Sequence, residues 1–449
     1  MKTDLRGVPV TGGDGFALER YETALRQYQS YVGDPVATID EALAAQPAFV
    51  AGHLLKALVF YTLGERRFAT LAAEALAAAR AHAASANRRE QDLMTGAGLL
   101  VDGAWHHACR VFDRVLADYP RDALALQTAH LMDFFRGDAL NLRNRISRVL
   151  PHWDRSVPGF SYILGMHAFG LEEMNQYAEA EATALHALSL EPKDGWAVHA
   201  AVHVMEMQGR IDEGAKFLSE REPDWAPDNG FAFHNFWHLA LLLMDDARHD
   251  RALALYDAHV HPRPAEYVLS LIDATALLWR MHLEGVDLGD RLERVADDWQ
   301  SRLDGEAGFY AFNDAHAAMA FVATDRRAEL ATLMRAMREA AARGDANAAM
   351  ERDVGLPLVE GIVAFGEQRY GDAVELIEAI RDGANRFGGS HAQRDLITLT
   401  LIEAALRGGD VMRARHYVGE RLTHKPHSRW GARLLGRARG RSEAIARIR

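Results

Sequence analysis

Between Trp196 and Glu206 the chain reads Trp-Ala-Val-His-Ala-Ala-Val-His-Val-Met-Glu, which sets His199 and His203 four residues apart. On a helix, 100° per residue brings Trp196, His199, His203 and Glu206 into a sector of roughly 80°. His234 and His238 repeat the spacing, with Asn235, Phe236 and Trp237 between them. Paired imidazoles with a nearby carboxylate can hold a divalent metal, Zn or non-haem Fe or Mn, when an adjacent helix adds a ligand. The expected ligand set is His199, His203, Glu206 and His238. Without a metal, His199, His203, Glu206, His234 and His238 suit acid/base catalysis near neutral pH, or polar contacts to a ligand that Trp196 and Trp237 stack against. The arrangement His-Glu-x-x-His is absent, so no metalloprotease mechanism follows. A third alternative is interhelical core, each imidazole satisfied by a neighbouring carbonyl or carboxylate.

Further polar groups recur downstream. Asn313, Asp314 and His316 fall on one expected helix, and Arg352-Asp353 precedes Gly355-Leu356-Pro357, where the proline suits a first helical turn. Gly388-Gly389-Ser390 leads into Gln393-Arg394-Asp395. Ser390 and Gln393 have capping-box spacing, while a glycine turn at a helix N-terminus beside Arg394 could also take an anion. Arg352, Asp353, Arg394 and Asp395 equally suit an ionic network joining two hairpins. His167 and His391 are weaker candidates among 21 histidines, and Cys109, the single cysteine, reads as packing.

The elements that must position these groups are helices. Alanine, leucine, arginine and glutamate dominate, strand-like alternation is scarce, and one phrase recurs: a Gly, Asn or Asp turn, an aromatic, then an alanine-bearing helix ending before proline. The clearest copy runs from Asn175-Gln176-Tyr177 through His186-Ala187-Leu188 to Pro192, with others at Gly103-Ala104-Trp105 and Arg369-Tyr370-Gly371. Weaker copies begin near Gly64, Gly209, Arg248 and Gly409. A period of roughly 30 to 45 residues fits stacked two-helix hairpins. The expected fold is all-α, with tetratricopeptide-like helical hairpin repeats stacked into a right-handed superhelix, an α-solenoid. First helices should begin near Phe160, Asp194, Phe231, Ala265, Phe309, Leu356 and Ser390 and line a concave groove. Residues 1–15 read as a loose N-terminal arm and 16–428 as a continuous array. Residues 429–449, with seven arginines and one glutamate, read as a capping helix.

Composition narrows the partners. A formal net charge of −12 over 449 residues opposes nonspecific attraction to phosphate backbones or anionic lipid, so nucleic acid and membrane are both expected to be absent as partners. One cysteine precludes an intrachain disulfide. The charged N-terminus lacks a secretory leader's apolar stretch, and no run approaches the length of a membrane span. A cytoplasmic protein is expected. Phosphate-loop, nucleophile-elbow and dinucleotide-glycine signatures are absent.

The chain resembles the tetratricopeptide repeat protein 38 family. The resemblance rests on Gly165-Met166 with Phe169-Gly170-Leu171, on Trp196 through Met207, on His234-Asn235 with Trp237-His238, and on Phe312-Asn313-Asp314-Ala315-His316. It continues through Arg352 to Pro357 and Gly388-Gly389-Ser390 with Ala392-Gln393-Arg394-Asp395. What it implies is a helical-repeat fold and a cytoplasmic protein; it brings no reaction and no catalytic residues.

Three functions follow for such a groove. It could bind a small molecule or peptide, through Trp196, Asn235, Trp237, Asn313, Asp314, His316, Arg352, Asp353, Ser390, Gln393, Arg394 and Asp395. It could be an enzyme using metal-assisted or His/Glu chemistry on a small substrate. It could be a scaffold reading an acidic peptide, although such clamps present Lys and Arg where this chain presents His and carboxylates. Ligand binding, with an anionic ligand, is the favoured expectation.

Overall fold

The computed structural model describes residues 2–261 and 265–448, with side chains through residue 440. Helices account for nearly all of its regular structure, paired into antiparallel hairpins. The fold is all-α, a tetratricopeptide-like helical-hairpin repeat of the α-solenoid class. First helices begin where the sequence places them: Phe160–Glu173, Gly195–Met207, Ala232–Asp245, Val268–Glu284, Ala311–Ala323, Leu356–Gly366 and His391–Gly408. The chain divides into two compact units, residues 1–201 with 222–232, and residues 202–221 with 233–449.

In the first unit, the hairpin of Phe160–Glu173 and Tyr177–Leu190 shows how the phrase works. Asn175 takes the left-handed conformation (φ 61°), which its short polar side chain tolerates, and the Gln176 N–H reaches back to the Leu171 carbonyl at 2.9 Å. Ala180, Ala184, Ala187 and Leu188 form the inward stripe of the second helix. The first helix is enclosed almost all round, with only Phe160 and His167 outside the buried set. Gly170 permits that enclosure: a Cβ there would stand 2.5 Å from the Leu142 carbonyl. Polar residues on this first helix, Glu172 and Glu173 among them, are therefore buried. At the N-terminus, Lys2–Thr3 pairs antiparallel with Pro9–Val10, and Asp4, Arg6, Val8 and Val10 are buried. Asp4 accepts the Arg6 and Val8 N–H groups and pairs with the Arg6 guanidinium, which ties down residues that composition alone reads as a loose arm.

In the second unit, Ser390 and Gln393 form a reciprocal capping box, and a π-helical turn at Glu351–Gly355 runs into Leu356–Gly366 with Pro357 in its first turn. The arginine-rich Arg429–Ile448 helix is N-capped from outside by Asp245, whose Oδ1 accepts the Arg429 N–H at 2.6 Å. Arg429 pairs with Asp212 and Asp246, and Arg437 with Glu403. Arg449 of the expected capping segment lies outside the described residues. Among the described residues no helix is long and apolar enough to cross a membrane.

Candidate functional site

The second unit gathers three of the singled-out histidines. His203 comes from Gly195–Met207, and His234 and His238 from Ala232–Asp245. One ring nitrogen from each lies within 4.8 Å of the others. The ring centroids stand 4.4 Å apart for His203–His238 and 4.8 Å for His234–His238. All three residues are at most 8% exposed. Helical spacing explains the local half: four residues make slightly more than a turn, so His234 and His238 project from one face.

Carboxylates stand behind two of these rings. His238 Nδ1 is 2.9 Å from Glu206 Oε2, and His234 Nδ1 is 2.6 Å from Asp273 Oδ2. Opposite a carboxylate, Nδ1 carries the proton, so the lone pair resides on Nε2. A carboxylate behind Nδ1 is what orients metal-binding histidines and makes them more basic. Burial, followed by the neighbouring His203, holds His238 well below the ordinary histidine range, so it is neutral. Glu206 itself is not placed as a ligand, because its other oxygen accepts from Lys425 Nζ at 2.8 Å. Burial would raise the Glu206 pKa, but Lys425 and His238 more than offset it and hold the carboxyl well below its usual range.

Behind Lys425 runs a buried ionic chain. Lys425 also meets Asp395 at 3.4 Å, and Asp395 receives a bidentate fork from Arg421 with both contacts at 2.8 Å. Arg421 then reaches Ser428 Oγ at 3.0 Å, and Ser428 Oγ reaches Asp245 at 2.6 Å. Arg280, only 1% exposed, donates to the Ala276 and Ala392 carbonyls and lies 5.4 Å from the Trp237 ring. With carbonyls rather than a carboxylate in hydrogen-bond contact, burial pulls its pKa down to about 10.

The remaining candidates are spread differently. His199 belongs to the first unit, its ring packed 4.9 Å from Trp196, 5.1 Å from Phe169 and 5.2 Å from Phe231. His167 meets Ser147 at 3.1 Å. In the second unit Asn235 and Trp237 are fully buried. His316 points Nδ1 at the Phe312 carbonyl, and burial pushes its pKa down to about 4. Asn313 and Asp314 are buried, and Asp314 Oδ2 accepts the Gly308 N–H. Burial and then the charge of Asp314 push Glu351 up to about 10, so Glu351 stays protonated beside it. Arg352 and Asp353 are exposed; Arg352 donates to the Ala341 carbonyl and Asp353 lies 3.7 Å from Arg386. Ser390 and Gln393 cap each other, and Arg394 donates to the Gly389 carbonyl. Of the anticipated ionic network, Asp395 alone joins the buried chain, through Arg421 and Lys425.

Sequence reasoning missed Asp273, Arg280, Arg421 and Lys425. Asp273 and Arg280 were detectable in principle, as charges inside the apolar run Val268–Glu284. Lys425 beside Pro426 reads only as the end of a repeat.

Fold and hairpin phrase together define a helical-repeat protein of the tetratricopeptide type. No protein-family model matches the sequence. Among solved structures, the chain is similar to a human IFIT1 dimer with m7Gppp-AAAA, at 13% identity, 95% coverage of each chain and a TM-score of 0.44. It is similar also to a human IFIT1 dimer with PPP-AAAA, at 13% identity, 95% coverage of each chain and a TM-score of 0.39. At that identity the likeness is one of helical-repeat architecture. The expected exclusion of nucleic acid does not stand, since both of those structures carry RNA ligands. The physical fault lies in the inference from −12: net charge is a sum over the whole surface and does not constrain the potential of one local groove.

Proposed function

We propose that this chain is a ligand-binding repeat protein related to the tetratricopeptide repeat protein 38 family, whose second unit holds a divalent metal on His203, His234 and His238. One observation carries the reading: three clustered imidazoles, two of them backed through Nδ1 by Glu206 and Asp273. Three neutral nitrogen ligands favour Zn over non-haem Fe or Mn, whose sites take a carboxylate directly; here the carboxylates stand behind the rings. Zn on three histidines keeps one position open, where it would polarise a bound oxygen of a small anionic ligand. Arg280, hydrogen-bonded to carbonyls, adds positive potential in the same unit.

Metal-free acid/base catalysis by His238 and Glu206 fits less well. Both groups are held well below neutrality, one as a neutral imidazole and the other as an ion-paired carboxylate, whereas a proton-transfer group works best near the operating pH. Titration of the full chain with Co²⁺ tests the reading. The expected result is an intense visible d–d spectrum of tetrahedral cobalt saturating at one equivalent, absent from His203→Ala/His238→Ala. A featureless titration, or one the variant leaves unchanged, would sink it.

A further inference from the structure

In the first unit, one face of Gly15–Ser30 forms the wall of an open cleft. Leu18, Glu22, Arg26 and Gln29 recur on that face at spacings of four, four and three, so all four side chains stand in one row. The facing wall is residues 155–162, which lead into Phe160–Glu173, with Leu190 at the end of Tyr177–Leu190. The cleft holds about 790 Å³, within the size range of small-molecule pockets.

Part of this lining is built from uncommitted donors. Gln29 is only 3% exposed, and its Nε2 has no hydrogen-bond partner among the described residues. It reaches the cleft beside Gly159, which turns in the left-handed region (φ 89°) and where a Cβ would stand 3.1 Å from Gln29 Oε1. Arg26, one turn earlier on the helix, and Arg155 on the facing wall are exposed and form no ion pair among the described residues. A buried amide donor left unmade and two unpaired guanidinium groups suit an anion. The carboxylates of the cleft are already engaged: Glu22 accepts from Arg6 and from the Leu5 N–H, Glu19 pairs with Arg20, and Glu191 accepts the Lys193 N–H. Three such carboxylates favour a singly charged ligand over a dianion.

The rest of the lining supplies apolar surface. Seven large apolar side chains are exposed among the described residues, and two of them, Leu5 at 68% and Leu190 at 39%, line this cleft beside Leu18 and Phe160. Leu5 is held in place, because its neighbours Arg6 and Val8 both donate their N–H groups to Asp4 Oδ1, at 2.9 and 2.8 Å. Its own N–H bonds Glu22 at 2.8 Å, about one helical turn from Arg26. Leu18 lies eight residues before Arg26, about 12 Å along the helix at the usual rise. The arginines and the leucines are therefore within one small molecule's length of each other.

We propose that this cleft binds a linear amphipathic monocarboxylate. Arg26, Arg155 and the Gln29 amide hold its head, and a chain of about 12 Å lies against Leu5 and Leu18. The site uses none of the second unit's histidines and requires no metal there.

The test is isothermal titration of the full chain with acetate, hexanoate, octanoate and decanoate, and with 1-octanol as the uncharged counterpart. Saturable one-to-one binding of octanoate or decanoate is expected, each methylene added from hexanoate onward tightening it by up to about fourfold. 1-Octanol should bind about tenfold more weakly than octanoate. Arg26→Gln/Arg155→Gln changes two exposed positions, so it should keep the parent melting temperature, weaken octanoate by about tenfold and leave 1-octanol unchanged. Failure of every carboxylate to bind would overturn the proposal. So would octanoate affinity that the double variant leaves unchanged, or 1-octanol binding as tightly as octanoate, because either result would leave the arginines without a role.

Discussion

His130 in the first unit and His238 in the second are both fully buried imidazoles on first helices, yet they are prepared for different work. His238 has Glu206 behind it, which fixes its proton on Nδ1 and leaves Nε2 as a base-like donor for a metal. His130 has no such partner, and burial alone drives it to about 3. The same contrast separates the surroundings: the second unit threads Glu206, Lys425, Asp395 and Arg421 through its interior, whereas the first packs Tyr31, Trp196 and Phe231 against one another. A buried histidine becomes a candidate ligand through the group behind it.

The contrast breaks most violently at Glu206. Glu206→Leu leaves the buried Lys425 ammonium with Asp395 alone and the His238 N–H without its partner, so a loss of about 3–5 kcal/mol is expected in urea denaturation. The double variant Glu206→Leu/Lys425→Met should recover much of it. Equal losses in single and double variants would show that packing, not charge, was removed.

Acid should act next, and on the first unit. Because the folded pKa of His130 is depressed to about 3 from 6.5, the unfolded chain takes up its proton first as pH falls below 6.5. Stability is therefore full above pH 6.5, falls on acidification and levels off below about 3, with a loss near 2 kcal/mol at pH 5. His130→Phe should remove that share of the acid sensitivity.

Asp194 has the opposite sign. Its folded pKa is raised to about 7, so its contribution is fully present below the unfolded value near 4 and is lost as pH rises through 7. Asp194→Asn, which can keep the cap to Ala197, should be more stable than the parent by about 1–2 kcal/mol at pH 8, an advantage that shrinks toward pH 5. A constant difference across pH would contradict the assigned cause. Arg352→Ala and Asp353→Ala, on exposed side chains, should each change stability by about 0.5 kcal/mol or less.

The hairpins were legible because each turn and each aromatic-alanine phrase is a local signal; Asn175 with Tyr177 and Ser390 with Gln393 state their own geometry. The His pairs were legible for the same reason, since spacing of four on a helix fixes a shared face. Their partners were not: Asp273 lies 39 residues from His234 and Lys425 lies 219 from Glu206, distances no local period encodes. His130 and Asp194 escaped notice as single polar residues at helix starts or in apolar runs, where a cap or a stray polar residue is the ordinary reading. The burial of first-helix polar residues was not legible, because close approach at a glycine such as Gly170, which encloses Phe160–Glu173, is set by a neighbouring hairpin rather than by the local phrase.

Metal content of tag-free full-length protein, measured by inductively coupled plasma mass spectrometry, reads the central claim directly. About one equivalent of zinc is expected, stripped by chelator with a fall in melting temperature, and lost from folded His203→Ala/His238→Ala. Protein that contains no metal, takes up none when zinc is added, and melts unchanged with or without it would contradict the assignment of His203, His234 and His238.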